Sequence, residues 1–127
     1  MAVLGQGLDI STFKASQRLE AFTFCLIKNG SVNLPESSGS YADGITLDQY
    51  NQGQSSLVRY EGLAKVVCGA EISDAQFIST NEKGQAIPAT ATSSILAKAL
   101  ESGSVGQVIQ IMITKVPQAP KAETKAK

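Results

Sequence analysis

Apolar and polar residues alternate over short stretches of this chain, and the alternation is clearest near its end. Ile109, Ile111 and Ile113 fall on one side of a period-two pattern, with Val108, Gln110 and Met112 on the other. That spacing predicts a strand with the isoleucines buried. Arg18 to Leu26 predicts a second strand, Leu19, Ala21, Thr23 and Cys25 on one face and Phe22, Phe24 and Leu26 on the other. Both faces are largely apolar, so this strand is expected to be covered on both sides. Lys28-Asn29-Gly30 is a turn signal, after which Ser31 to Leu34 returns as a short strand and Pro35 to Ser40 forms a loop.

From Tyr41 onward the pattern predicts strands at Gly44–Leu47, Ser56–Tyr60, Leu63–Cys68, Phe77–Ser79, Gln85–Ile87, Ser94–Leu100 and Gln107–Ile113. Glu61-Gly62 allows only a kink or bulge between two of them, and Asn81-Glu82-Lys83-Gly84 predicts a hairpin turn. Ala91 to Ala99 has enough alanine for a helix, but Thr90, Thr92 and Ile95 favour a strand. Short strands joined by glycine-rich turns predict an all-β fold, a small barrel or compact sandwich.

One pattern occurs twice. Gly44-Ile45-Thr46-Leu47, a polar turn to Gly53 and Leu57 to Tyr60 are echoed by Ala97 to Leu100, a polar turn to Gly106 and Val108 to Ile113. The offset is 53 residues, so that Leu47 falls on Leu100, Gly53 on Gly106, Gln54 on Gln107 and Tyr60 on Ile113. Before this region, residues 1–17 are weakly patterned and read as an N-terminal arm whose Ile10 and Phe13 dock elsewhere. Residues 18–116 read as the β-barrel-like domain. Residues 117–127, rich in Ala, Pro and Lys, bury too little apolar surface to offset the entropy of ordering and read as a flexible tail.

Only 17% of the 127 residues are charged, so Ser, Thr, Gln, Asn and Gly must cover much of the surface. Such a surface suits extensive contact with partners. Residues 1–113 hold seven Lys/Arg against ten Asp/Glu, and residues 114–127 hold four against one. No basic stripe or basic–aromatic platform runs through the body, which argues against nucleic acid as a partner. No apolar stretch approaches the length of a membrane-spanning helix, and the N-terminus lacks the pattern of a signal peptide. Synthesis in the cytoplasm is the expectation.

The chemical inventory is sparse. There is no histidine, hence no histidine base and no histidine metal ligand. Cys25 and Cys68 lack the spacing of a redox pair and are expected as two buried thiols, with a disulfide as the alternative. The carboxylate pairs Asp43 with Asp48 and Glu71 with Asp74 lie in or near turns, where solvated acids are expected. Gly103-Ser104-Val105-Gly106 does not spell a nucleotide-binding loop, and Asn81 to Gly84 lacks a calcium-loop ligand array. No enzyme activity, cofactor, metal site or small-molecule substrate is expected.

The segment from Gly44 to Ile113 resembles the capsid decoration proteins of tailed bacteriophages, also called cement or head-stabilising proteins. The resemblance is carried by Tyr60-Glu61-Gly62-Leu63-Ala64-Lys65-Val66 and Ala70-Glu71-Ile72-Ser73-Asp74-Ala75. It continues in Thr80 to Ala89, Ala97-Lys98-Ala99-Leu100-Glu101 and Val105 to Ile111. Upstream, Thr12 to Ser16 and Phe24 to Ile27 look like the family's opening arm and first strand. The Ser-rich loop from Pro35 to Tyr41, Gly44-Ile45-Thr46-Leu47 in place of a Gly-Val-Ala run, and the basic tail after Val116 depart from the pattern.

The resemblance implies a β-barrel-like domain that forms a homotrimer on the outer capsid surface of the virion. It would bind at local three-fold positions, bridge major capsid protein subunits and reinforce the shell without catalysis. It also implies an arm that adds a strand to a capsid subunit. On this reading Ile10, Phe13 and Lys14 are candidates for capsid contact, with Tyr41 and Tyr50 as loop aromatics that anchor the interface. Arg59 is the candidate for contact within the oligomer. Truncation at Ala15 is then expected to weaken shell binding and leave the domain folded. The alternative is a non-catalytic β module of a phage tail or fibre.

Overall fold

A computed structural model describes residues 9–116, and the tail expected at 117–127 lies outside the described residues. The described chain is all-β, with ten strands: β1 (Asp9–Ala15), β2 (Phe24–Lys28), β3 (Ser31–Asn33), β4 (Gly44–Thr46), β5 (Ser55–Arg59), β6 (Gly62–Val67), β7 (Phe77–Thr80), β8 (Ala86–Pro88), β9 (Ile95–Ala99) and β10 (Val108–Val116). The first five close into a barrel in the order β1-β3-β2-β4-β5, and the last five form a sheet in the order β6-β10-β9-β7-β8.

Local sequence explains most of these elements. Asn29 and Gly30 both take left-handed backbone angles, φ 54° and 75°, in the two-residue turn between Lys28 and Ser31, which pair across it. Both central residues of such a turn need positive φ, and Asn-Gly is its preferred sequence. In β10 the alternation is kept as expected: Ile109, Ile111 and Ile113 are buried and Val108 and Met112 are exposed.

The 53-residue echo extends well beyond the segment where the sequence shows it. A bridge between Leu19 and Tyr50 has its counterpart between Ile72 and Gly103. Ala15 N–H donates to the Gln54 carbonyl at 2.9 Å, and Cys68 N–H to that of Gln107 at 2.8 Å. Phe22 N–H donates to Thr46 at 3.0 Å, and Ala75 N–H to Ala99 at 3.0 Å. Even the two left-handed turn residues match, Phe22 with φ 59° and Ala75 with φ 67°. The turn before β8 is one residue longer than that before β3, so there the offset becomes 54 and Val32 matches Ala86. The chain is thus two copies of one five-stranded unit.

The cores show the same duplication. Ala15, Leu19, Cys25, Val32 and Val58 fill the first barrel. Their counterparts Cys68, Ile72, Ile78, Ala86 and Ile111 all lie in the second, larger core. That core is larger because it also takes Phe24, Ala42 and Ile45 from the first unit. Strand alternation in β2 therefore sends Cys25 into one core and Phe24 into the other, as its two apolar faces require.

The seam between the units is also bonded through the backbone. Phe24 N–H donates to the Gly84 carbonyl at 2.7 Å, and Val67 N–H to the Phe22 carbonyl at 2.9 Å. Residues 22–24 thereby bond to both sides of the gap between β6 and β8, which among the described residues is spanned directly by the Cys68–Ala86 bridge. In the first unit the equivalent gap is closed by parallel pairing of Lys14 with Ser31 and Ala15 with Val32. This difference accounts for one closed barrel and one open sheet.

Two expectations are corrected. Arg18 to Leu26 is not one strand: the chain turns at Ala21-Phe22 and the strand begins at Phe24. Alternation of apolar residues continues through a turn when both neighbouring segments are buried, and so hides it. Residues 9–15, expected within an arm, are β1, which pairs with β5 and β3 and is a stave of the barrel.

Candidate interaction surface

The outer face of the second sheet carries a row of side chains in register across four strands. Phe77 on β7 lies opposite Lys98 on β9, Lys98 opposite Met112 on β10, and Met112 opposite Leu63 on β6. Three inter-strand steps make this row about 15 Å long. Phe77 is 52% exposed, Leu63 46% and Met112 37%, and the exposed Val108 lies further along β10. Apolar side chains grouped on one sheet face mark a contact surface more than scattered ones do. In the first unit the matching row is Phe24, Ile45 and Arg59. There Phe24 and Ile45 are buried, because the second unit covers them.

The residues singled out from sequence do not gather at this row. Ile10 pairs through its backbone with Val58 in β1, and its side chain lies outside the described residues. Phe13, half-buried, packs against the first core, and Lys14 beside it is exposed. Phe13 also lines a shallow hollow with Ile27, Asp43, Tyr60 and Lys115. The Lys115 ammonium there lies 5.5 Å from the Tyr60 ring centre and donates to the Asp43 carbonyl at 2.8 Å. Tyr41 packs against the second core, where burial, helped by Asp43, pushes its phenol pKa up. Tyr50 packs on the first core, and its hydroxyl accepts a bond from Leu57 N–H at 2.9 Å. Arg59 reaches across the seam and donates to the Leu63 carbonyl at 3.2 Å. Tyr41, Tyr50 and Arg59 therefore have structural tasks within the chain.

Sequence reasoning missed Phe77, Leu63 and Met112 as a group. Period two puts Met112 on the face opposite the isoleucines, but only the cross-strand register places Phe77 and Leu63 in its row. The 53-residue offset carries the remaining signal, since it maps Phe24 onto Phe77.

Cys25 and Cys68 are both free and buried, as two thiols rather than a disulfide. The Cys25 pKa is pushed up from 9.0 to about 12, chiefly by burial, with Asp43 raising it further and Lys115 opposing. Burial, then Glu71 and Glu101, raises that of Cys68. A protonated, buried thiol is a poor nucleophile. In the native protein Cys25 is expected to resist an aromatic disulfide reagent at pH 8 and to react once denaturant is added. Its raised pKa also sets a pH dependence: the unfolded state ionises first, so this thiol leaves stability unaffected below about pH 9 and lowers it as pH rises toward 12. Denaturation midpoints from pH 7 to 10.5 should fall less steeply for Cys25→Ala than for the parent. Equal slopes would show that Cys25 is not held in this environment.

Among the described residues, no group of three His, Cys, Asp or Glu side chains is placed to hold a metal ion. A cleft of about 620 Å³ lies along the seam between Arg18, Glu20, Phe22, Leu34, Val67 and Lys83. Its Arg18–Glu20 ion pair, at 3.1 Å, is more than half exposed and so of little energetic weight.

No protein-family model matches this sequence, and no curated protein matches it. The fold is nevertheless shared with a solved structure, the N base of the head fiber protein gp8.5 of bacteriophage phi29. The two superpose with a TM-score of 0.71 at 18% identity, over 86% of this chain and 98% of that one. The likeness establishes a common all-β architecture.

Proposed function

We propose that this protein is a non-catalytic structural component of a phage virion, bound to the outer surface of the capsid. In this reading it is a homotrimer at local three-fold positions, made in the host cytoplasm, that bridges major capsid protein subunits and stabilises the shell. The observation that supports it most is the fold shared with the base of a phage head fiber. The sparse chemical inventory and the exposed apolar row agree with a role in contact. Of the residues considered for shell contact, exposed Lys14 on β1 is the best placed, beside Phe13 and Ile10. A second reading, a module of a fibre or tail, is favoured by the fact that the structural neighbour is itself part of a fiber.

The two are separated by mixing purified protein with empty mature shells and, in parallel, with isolated tails. Decoration of shells that saturates at a symmetry-related copy number is the expected result. Binding to tails alone would replace the first reading with the second, and binding to neither would remove both.

A further inference from the structure

A short stretch of strand edge in the second sheet has no partner within the chain. Val67 N–H turns away from β10 to the Phe22 carbonyl, so by strand alternation Lys65 and Leu63 also direct their backbone groups to that outer edge of β6. Gln110, opposite Lys65, has the matching phase. Its carbonyl accepts from Leu100 N–H at 3.0 Å and its N–H donates to the Glu101 carboxylate at 2.9 Å, both away from β6. The Leu63 carbonyl accepts from the Arg59 guanidinium at 3.2 Å. Leu63 N–H, Lys65 N–H and the Lys65 carbonyl have no hydrogen-bond partner among the described residues. The seam closes this edge at Val67 and reaches no further toward Leu63.

A hollow of about 300 Å³ lies against the edge, lined by Leu63 and Lys65 and, from the first unit, by Phe22, Leu47 and Arg59. Exposed backbone groups at a sheet edge pair readily with an extended chain. The side chains decide which chain fits. The lining holds two cations, Arg59 and Lys65, and no carboxylate. Among the described residues Lys65 makes no ion pair. Leu63 begins the exposed apolar row that continues to Met112. Two residues apart on one strand, Leu63 and Lys65 share a face. A lysine on an edge discourages most strands and favours one that brings a carboxylate opposite it.

We propose that the Leu63–Lys65 edge takes up an extended segment of another virion protein, in which an acidic and an apolar residue are separated by one position. Lys65 N–H donates to the segment's backbone and the Lys65 carbonyl accepts from it, while Leu63 N–H makes a third bond. The carboxylate lies opposite Lys65, and the apolar residue covers Leu63 beside Met112. This inference rests on the contact role in the proposed function and names the surface and the chemistry of its partner.

The test is a titration of the full, isotopically labelled chain with a capped peptide of repeat Glu-Thr-Val-Thr, followed by NMR. The Leu63 and Lys65 amide signals should shift, and their hydrogen exchange should slow as peptide is added. A peptide with Lys in place of Glu should bind about tenfold or more weakly, and Lys65→Glu should reverse that preference while melting at the parent's temperature. Methylation of the peptide's backbone nitrogens should abolish binding. Unmoved Leu63 and Lys65 signals, equal binding of the methylated peptide, or an unchanged preference in Lys65→Glu would each overturn the proposal. Shifts of the same signals with protein concentration alone would make a second copy the occupant and overturn it too. Shell and tail binding are scored separately. Decoration without peptide capture overturns this inference alone, and capture at Lys65 with binding to neither shells nor tails overturns the proposed function alone.

Discussion

Gly84→Ala is expected to lower stability by about 3 kcal/mol, far more than Gly→Ala at the other left-handed turn glycines Gly30 and Gly106. All three have positive φ, 82°, 75° and 90°. An L side chain in that conformation costs about 1–2 kcal/mol at any of them. Around Gly30 and Gly106 an added Cβ meets no atom within 4 Å. At Gly84 it would lie 2.5 Å from the Phe24 carbonyl oxygen and 2.9 Å from Thr23 Cβ, and both are fixed in the seam. Relief requires the units to separate there, which weakens the 2.7 Å bond from Phe24 N–H and the packing of Phe24. Loss of such a buried bond adds about 1–3 kcal/mol. Urea denaturation of the three variants checks this. Equal losses at all three positions would mean that the seam is not tightly packed.

Removal of residues 1–15 is expected to abolish cooperative folding. This reverses the expectation from sequence, in which the segment is a contact arm whose loss leaves the domain folded. β1 pairs with β5 along one edge and β3 along the other, so its loss opens the barrel. Leu19, Cys25, Val32 and Val58, all fully buried, would face water where Ala15 and the strand had covered them. Burial of a large apolar side chain contributes about 1.5–3 kcal/mol, and a small domain has only about 5–15 kcal/mol in all. Damage would pass to the second unit, because its core contains Phe24 and Ile45. Loss of amide dispersion in NMR spectra, with Cys25 becoming reactive at pH 8, is the expected result. A truncated protein with dispersed spectra and a protected Cys25 would show that β1 is an appendage after all.

The sequence was readable where one local rule acted alone. The Ile109, Ile111 and Ile113 face follows from period two, and the Asn29-Gly30 turn from the need for positive φ at two successive residues. All seven strands expected after Tyr41 begin within a residue of where the pattern places them, at Gly44, Ser56, Leu63, Phe77, Gln85, Ser94 and Gln107. The reading failed where the deciding contact was distant. Nothing local distinguishes residues 9–15 from a leader until β5 and β3 stand on either side of them. Phe22 takes its left-handed turn where Thr46 and Val67 accept and donate to its backbone, neither of them near in sequence.

The same division holds for the candidate surface. By itself the sequence determined an all-β chain, most of its turns, an apolar core face and a 53-residue echo, because side-chain alternation and turn conformation are set by residues within a few positions. Only the tertiary structure decided that the echo is a duplicated unit and that Phe24 is buried while its counterpart Phe77 is exposed. Both phenylalanines sit at matching positions of matching strands, so local preference cannot separate them. What separates them is that the second unit covers the first, while among the described residues nothing covers Phe77 on the second.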